Sequence, residues 1–361
     1  MSQVAVLRLR AAFAAIFLLL TRPAFAQPDR TDEFIKAEMK RQNIPGLSLA
    51  VIKDGRIVKA EGYGLANIKL NTPAAPDTVY KTASSGKHFI ATGIMRLVHD
   101  GRLALDDPIR KYLKDAPPAW NAITVRHLLT HTAGLVRESP GFDPFKVKAD
   151  AEVLREAYPL PLRFAPGEKW EYSNTGYFAL AEIIRVVSDR PWPEYLSENV
   201  FKPTGILSTR TTLTSTQEKV PNLAQGYVDN KDLRDAPAWV AIRPSGAFLS
   251  TVVDLAKWDA ALSTDRVLTA ASRREMWTPV TLNDGKAFPY GFGWMIGAVK
   301  GQRLVHHSGG MPGARASFAR FVDSGLTIIV LMNLDDVDID SIVHGLAELY
   351  LPVGSGRPVV R

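Results

Sequence analysis

The strand-forming segments of this chain fall into two groups at opposite ends of the sequence, with a long helically patterned stretch between them, and no other feature restricts the fold as much. In the first group, Leu47 to Ala66 reads as strand, turn, strand, with Asp54-Gly55 between Ser48-Leu49-Ala50-Val51-Ile52 and Ile57-Val58-Lys59-Ala60, a strong hairpin signal. The second group comprises Gly291 to Val299, Arg303 to His306, Ala314 to Val322 and Leu326 to Met332, separated by turns at Lys300-Gly301 and Asp323-Ser324-Gly325. Between them, Phe89, Ile90, Ile94, Leu97 and Val98 mark one helix face that ends at Gly101. Asp107-Pro108 offers a cap and a first-turn proline, Thr124 caps Val125 to Thr130, and Tyr177 to Val187 reads as a further apolar helix. A helix over Gln27 to Asn43 precedes the first strands, and another carrying Ile339, Ile342, Val343, Leu346 and Leu349, capped near Asp338, closes the chain. The economical architecture is an α/β fold of the α+β kind: an antiparallel sheet flanked by N- and C-terminal helices, with a mainly helical region inserted between its strands. On this reading residues 27–83 and 240–361 form the α/β part and residues 84–239 the helical part.

Residues 1–26 have the three parts of a secretory leader: Arg8 and Arg10, the apolar run from Ala11 to Leu20, and Ala24-Phe25-Ala26 as a cleavage site after Ala26. The run is about half the ~20 residues a membrane span needs, and Arg22-Pro23 interrupts its end. A secreted or periplasmic protein without a stable membrane anchor is therefore expected. Without any Cys, the chain has no disulfide, no thiolate metal site and no cysteine nucleophile. Its formal charge of +7 falls to +4 once Arg8, Arg10 and Arg22 are removed with the leader, and no dense basic block argues for a nucleic-acid partner.

Three short motifs bear chemistry. Ser84-Ser85-Gly86-Lys87 opens the first internal helix, so Ser84 and Lys87 lie three residues apart on one face, within reach of each other. A serine hydroxyl needs a base, and a lysine serves if burial or neighbouring charge lowers its pKa; the helix N-terminus adds N–H groups for an oxyanion. Tyr172-Ser173-Asn174 follows a Pro166-Gly167 turn and reads as extended, so Tyr172 and Asn174 point the same way. A phenol beside a lysine ammonium ionises more easily and shuttles a proton, and an Asn amide holds both the lysine and a substrate carbonyl. His306-His307-Ser308-Gly309-Gly310 stands at the end of a predicted strand, where small residues leave an open edge for an added substrate strand and the Gly310 N–H could join that of Ser84. Taken singly, each motif also fits a structural role: a capped helix, a packed tyrosine, a glycine-rich hairpin.

Two other chemistries are not supported. His127 and His131 have the i, i+4 spacing of a zinc pair, but the Glu of H-E-x-x-H and a third ligand are missing, so no metal is expected. No G-x-S-x-G elbow is present.

In this order, Ser84-Ser85-Gly86-Lys87, Tyr172-Ser173-Asn174 and His307-Ser308-Gly309 resemble the S-x-x-K, Y-x-N and K-T-G or H-x-G motifs of the serine β-lactamase and penicillin-binding-protein superfamily. Leu128 to Gly134, Gly246 to Thr251, Tyr290 to Trp294, and Asn333 look like its class C branch and the esterase relatives of that branch, and the similarity runs from about Ile44 to Leu351. The resemblance implies that Ser84 attacks an ester or amide carbonyl and that Lys87 and Tyr172 move its proton to the leaving group. It further implies that Asn174 orients Lys87 and substrate, that the N–H groups of Ser84 and Gly310 form the oxyanion hole, and that His307, Ser308 and Gly309 line the substrate, with no cofactor. His307 stands where many β-lactamases have Lys, and imidazole, titrating near ~6.5 when unperturbed, gives a β-lactam carboxylate no permanent cation. That favours an esterase-like hydrolase of small esters, amides or peptides over a β-lactamase, with a D-alanyl-D-alanine carboxypeptidase as the alternative and a non-catalytic binding or assembly homologue as the second.

Overall fold

Asp54 and Gly55 both take positive φ, 49° and 74°, as a two-residue Asp-Gly hairpin turn requires, and so fold β1 (Gly46–Lys53) back onto β2 (Arg56–Asn67). The computed structural model describes residues 29–140, 142–146, 148–211, 219–237, 243–246 and 248–351; the expected leader lies outside them. A short β3 (Thr72–Pro73) follows, and the second strand group supplies β4 (Met295–Val299), β5 (Gln302–Met311), β6 (Ala314–Phe321) and β7 (Leu326–Met332). These seven strands form one sheet in the order β4-β5-β6-β7-β1-β2-β3. The two groups meet where β1 pairs antiparallel with β7, from Leu47 opposite Met332 to Lys53 opposite Leu326. Both strands are buried almost throughout, which explains why they read as continuous apolar runs and not as alternating ones.

Alternate residues of those central strands serve opposite faces. The principal helices are α1 (Arg30–Gln42), α2 (Lys87–His99), α3 (Val125–Leu129), α4 (Asn174–Ser188), α5 (Val252–Leu262) and α6 (Ile339–Tyr350). Leu49, Val51, Ile328 and Val330 pack with Ile35 of α1 and with Ile342 and Leu346 of α6. On the other face Ala50, Ile52, Ile329 and Leu331 join the larger core, with Phe89 of α2 and with Leu255 and Trp258 of α5. The fold is the mixed helix and antiparallel sheet that the sequence predicts.

Three local expectations are corrected. Asp107-Pro108 leads only into a 3-10 turn at Ile109–Lys111, because Pro108 stays extended (ψ 132°) and the Asp107 carboxylate accepts from the Ala104 N–H and the Tyr112 hydroxyl. The strand expected from Gly291 begins at Met295, and Gly293, at φ 75°, turns the chain before it. Finally, β5 does not stop at His306. It runs through Ser308, Gly309 and Gly310 to Met311, because these residues stay in ladder with β6, Ser308 opposite Ser317 and Gly310 opposite Arg315.

Asn333, just past β7, ties the ends of the central strands together. Its Oδ1 accepts from the Gly46 N–H at 2.9 Å, and its Nδ2 donates to the carbonyls of Leu65 at 3.1 Å and Ala66 at 3.3 Å. Asn333→Ala leaves the Gly46 N–H and the Leu65 carbonyl short of a partner, while the Ala66 carbonyl keeps the Gln225 N–H at 2.9 Å, at ~1–3 kcal/mol for each group left unsatisfied. Denaturant unfolding should therefore show a loss of about 2–4 kcal/mol with an unchanged slope. A loss below about 0.5 kcal/mol, the scale of an ordinary surface change, would contradict the clamp.

Candidate active site

Ser84 sits in a 3-10 turn, Ala83–Gly86, immediately before α2, so the nucleophile candidate precedes the α-helix and Lys87 is its first residue. Ala83 has φ 46°, a left-handed conformation that costs a non-glycine residue ~1–3 kcal/mol and is kept only where surrounding structure enforces it. Here β5 is that structure. A Cβ on Gly309 would lie 2.2 Å from the Thr82 carbonyl oxygen and 2.9 Å from the Ser84 nitrogen, and one on Gly246 would lie 2.9 Å from the same nitrogen. Glycine at these two positions lets the strand and the Arg243–Gly246 turn close on the Ser84 backbone, leaving its side chain partly exposed.

Lys87 is fully buried, and its amine has three oxygen neighbours: Asn174 Oδ1 at 2.8 Å, Ser84 Oγ at 3.3 Å and the Ser245 carbonyl. Burial drives its pKa well below the usual lysine value; the nearby Arg137 cation pushes the same way and Glu138 opposes. A neutral amine has two N–H bonds and one lone pair. Two of its three neighbours, the Asn174 and Ser245 carbonyl oxygens, can only accept, so they take both N–H bonds and the lone pair is left for the Ser84 hydroxyl proton. Asn174 cannot reverse its amide, because its Nδ2 donates to Glu138 Oε1 at 2.7 Å.

Tyr172 and Asn174 do face the site together, as expected from their spacing, but Asn174 opens α4, with Ser173 as its cap accepting from the Gly176 N–H. The Tyr172 ring lies 4.7 Å from the Lys87 amine. The expectation that this phenol ionises readily is reversed: burial raises its pKa, since the adjacent lysine is itself held toward neutrality. Its hydroxyl, buried and without a hydrogen bond of full geometry among the described residues, faces the Ser84 hydroxyl, whose influence offsets part of that rise. The Tyr172 phenol is thus held in its protonated form.

His307 is buried in the middle of β5, and its place in a hydrogen-bond chain fixes its protonation. Its Nδ1 lies 2.6 Å from the Ser308 carbonyl, which can only accept, so Nδ1 carries the proton and Nε2 accepts from the Tyr290 hydroxyl at 3.1 Å. Tyr290 then accepts from His131 Nε2 at 3.1 Å, and His131 Nδ1 accepts from the Ser173 N–H at 3.1 Å. Every donor in this chain has one acceptor, and both imidazoles are neutral. Burial, reinforced by Lys87, moves the His307 pKa to about 3, so an imidazole charge appearing near neutrality, as the sequence suggested, does not occur. His127 is occupied too, its Nδ1 accepting from the Thr124 N–H at 3.2 Å. Among the described residues no group of three His, Cys, Asp or Glu side chains is placed to hold a metal ion.

Ser308, Gly309 and Gly310 lie beyond His306, the last β5 residue paired to β4, so that edge of β5 has no β4 partner beside the Ser84 turn. Tyr290, Ser245, Arg137 and Glu138 were not singled out by sequence reading. Only Tyr290 and the stretch from Gly246 carried any signal, through the family resemblance; Ser245 contributes a backbone carbonyl, which no side-chain motif encodes.

The β-lactamase family profile matches residues 31–345. The chain belongs to the β-lactamase family. Among curated relatives, a penicillin-binding protein of Bacillus subtilis is 30% identical over 311 residues, covering 78% of this chain and 68% of the relative. Protein flp of Staphylococcus aureus is 26% identical over 341 residues, covering 90% of this chain and 67% of that protein. The chain thus spans about two thirds of the length of these β-lactamase-family relatives. Among solved structures, the octameric penicillin-binding protein homologue from Pyrococcus abyssi superposes with a TM-score of 0.78 at 29% identity, over 88% of this chain and 76% of that one. The D-amino acid amidase from Ochrobactrum anthropi complexed with D-phenylalanine gives 0.77 at 25% identity, over 89% and 98%. Membership of the β-lactamase family places the chain among serine hydrolases in general.

The hydrogen-bond chain has a direct spectroscopic consequence. Nitrogen-15 imidazole spectra should show His307 as the Nδ1–H tautomer and His131 as the Nε2–H tautomer, both constant from pH 8 to pH 5. A His307 signal that titrates near ~6.5 would contradict the assignment.

Proposed function

We propose that the protein hydrolyses ester or amide bonds through an acyl-Ser84 intermediate, with small carboxylic esters among its best substrates. The observation that carries this reading is the Lys87 amine, buried and hydrogen-bonded so that its lone pair is left for the Ser84 hydroxyl. Lys87 takes the Ser84 proton as Oγ attacks the carbonyl carbon; the resulting oxyanion is received by the N–H groups of Ser84 and Gly310. Tyr172, protonated and facing Ser84, passes a proton to the departing alkoxide or amine. Water then attacks the acyl-Ser84 ester, with the same groups acting in reverse. Ser308 and Gly309, on the β5 edge without a β4 partner, line the bound substrate.

Beside Asn174 and Ser245 lies a small recess of about 10 Å³ lined by Phe142, Val153, Leu154 and Phe178, which has room for about one water and not for an acyl group. His307, neutral and bound to Tyr290, shapes the site and offers no cation to a β-lactam carboxylate. That lack of a cation at His307 ranks short-chain esters above β-lactams. A D-alanyl peptide or an amino acid amide remains the alternative, supported by the likeness to a penicillin-binding protein and to a D-amino acid amidase, since amides pass through the same acyl-serine. The reading includes export, for which residues 1–26 are the support.

Fluorophosphonate labelling, followed by a panel of p-nitrophenyl esters, a β-lactam and D-alanyl peptides, tests the proposal. Ser84→Ala should fold, lose the label and lose essentially all turnover. Lys87→Ala and Tyr172→Phe should each cost at least the ~100-fold typical of a lost general acid or base, and the double variant should cost far less than the product of the two. Multiplicative losses would show that one of the two has only a structural role, and turnover retained by Ser84→Ala would remove the mechanism.

A further inference from the structure

With Lys87 held toward its neutral form and His307 locked neutral, the side chains expected to meet a charged substrate provide no cation. Arg137 does. Its carbonyl accepts from the N–H groups of Asn174 at 2.9 Å and Thr175 at 3.1 Å, which fixes its backbone to the first turn of α4. From there the guanidinium lies 5.1 Å from the centre of the Tyr172 ring, over the residue that faces Ser84. The side chain is 64% exposed, and its one acidic neighbour, Glu138, is 3.8 Å away, outside hydrogen-bond reach. Glu138 is itself committed to Asn174 Nδ2. Among the described residues the Arg137 guanidinium therefore makes no hydrogen bond, so a set of donors suited to a carboxylate faces solvent beside the nucleophile.

The guanidinium beside Gly310 of β5 does not compete for this role. Arg315 donates Nε to the Asp335 carbonyl and packs where a Gly310 side chain would point. Gly309, one residue earlier, points at the Ser84 turn, so Arg315 lies on the opposite face of the strand.

We infer that Arg137 anchors an anionic group on the acyl part of the substrate, so that esters or amides with a carboxylate some atoms away from the scissile carbonyl form a preferred substrate class. The inference rests on the acyl-serine reading and adds a specificity element to it. The guanidinium stands over the Tyr172 ring, whose hydroxyl faces Ser84, so an anion held there lies only some atoms from the carbonyl that Ser84 attacks.

The test compares two esters of equal chain length, the 4-methylumbelliferyl monoester of adipic acid and 4-methylumbelliferyl hexanoate, in wild type, Arg137→Gln and Arg137→Lys. Arg137→Gln should lower the adipate-to-hexanoate ratio of kcat/KM at least tenfold, chiefly through KM for the adipate ester. Arg137→Lys should recover part of that ratio, since it keeps the charge but not the planar fork. A ratio that falls less than tenfold in Arg137→Gln would overturn the assignment and leave Arg137 as a group that acts only on Tyr172 and Lys87. Turnover of the hexanoate ester by wild type, and its loss in Ser84→Ala, reads the acyl-serine mechanism separately.

Discussion

The rest of the site depends on the burial of one amine. Lys87 is the first residue of α2, yet its side chain turns into the core and not to solvent, and desolvation there is what makes a lysine usable as a base near neutrality. Three contacts of different kinds hold it: a side-chain amide on α4, a backbone carbonyl from the Arg243–Gly246 turn, and the serine one helical turn away. Each comes from a separate part of the chain, so the sheet and the helical segment have to be packed correctly before the base exists. Tyr172 follows from the same fact, because a phenol beside a neutral amine gains no electrostatic help in ionising and stays a donor.

Around this amine the site is built to exclude charge. The Ser173, His131, Tyr290, His307 and Ser308 chain satisfies both ring nitrogens of His131 and both of His307 with neutral partners. Trp170 stacked on Phe288, with ring centres 4.2 Å apart, closes the aromatic wall beside it. A protonated imidazole at His307 would break this order by facing the Tyr290 hydroxyl with a second donor. The charge available to the site is therefore at its rim, on Arg137 and Glu138, where solvent reduces the cost of ionisation.

Much of this was legible in the sequence, for physical reasons that differ by residue. The β1–β2 turn was readable because Asp54-Gly55 leaves few alternatives, and β7 because an unbroken apolar run suits a strand covered on both faces. Ser84 and Lys87 could be paired because three residues on a helix face is a short, fixed distance. What stayed hidden depends on partners distant in sequence. Glycines at 309 and 310 looked like a hairpin end, yet the ladder to β6 holds them in strand, and the small size of Gly309 serves the close approach to Ser84. His307 looked titratable because its burial and its Tyr290 partner are properties of the packed core. Arg137 carries no motif, and only the turn into α4 shows where its guanidinium lies.

The central claim is that Lys87 is neutral in the resting protein at pH values where ordinary lysines are charged. It can be read directly from the carbon-13 shift of the lysine Cε, with the protein labelled at that position and the Lys87 signal assigned by its loss in Lys87→Ala. The account predicts a Lys87 signal already at the neutral-amine position at pH 8, where an unperturbed lysine amine, titrating near ~10.4, is charged. A Lys87 signal that moves together with those of the exposed lysines would mean that Ser84 has no resident base.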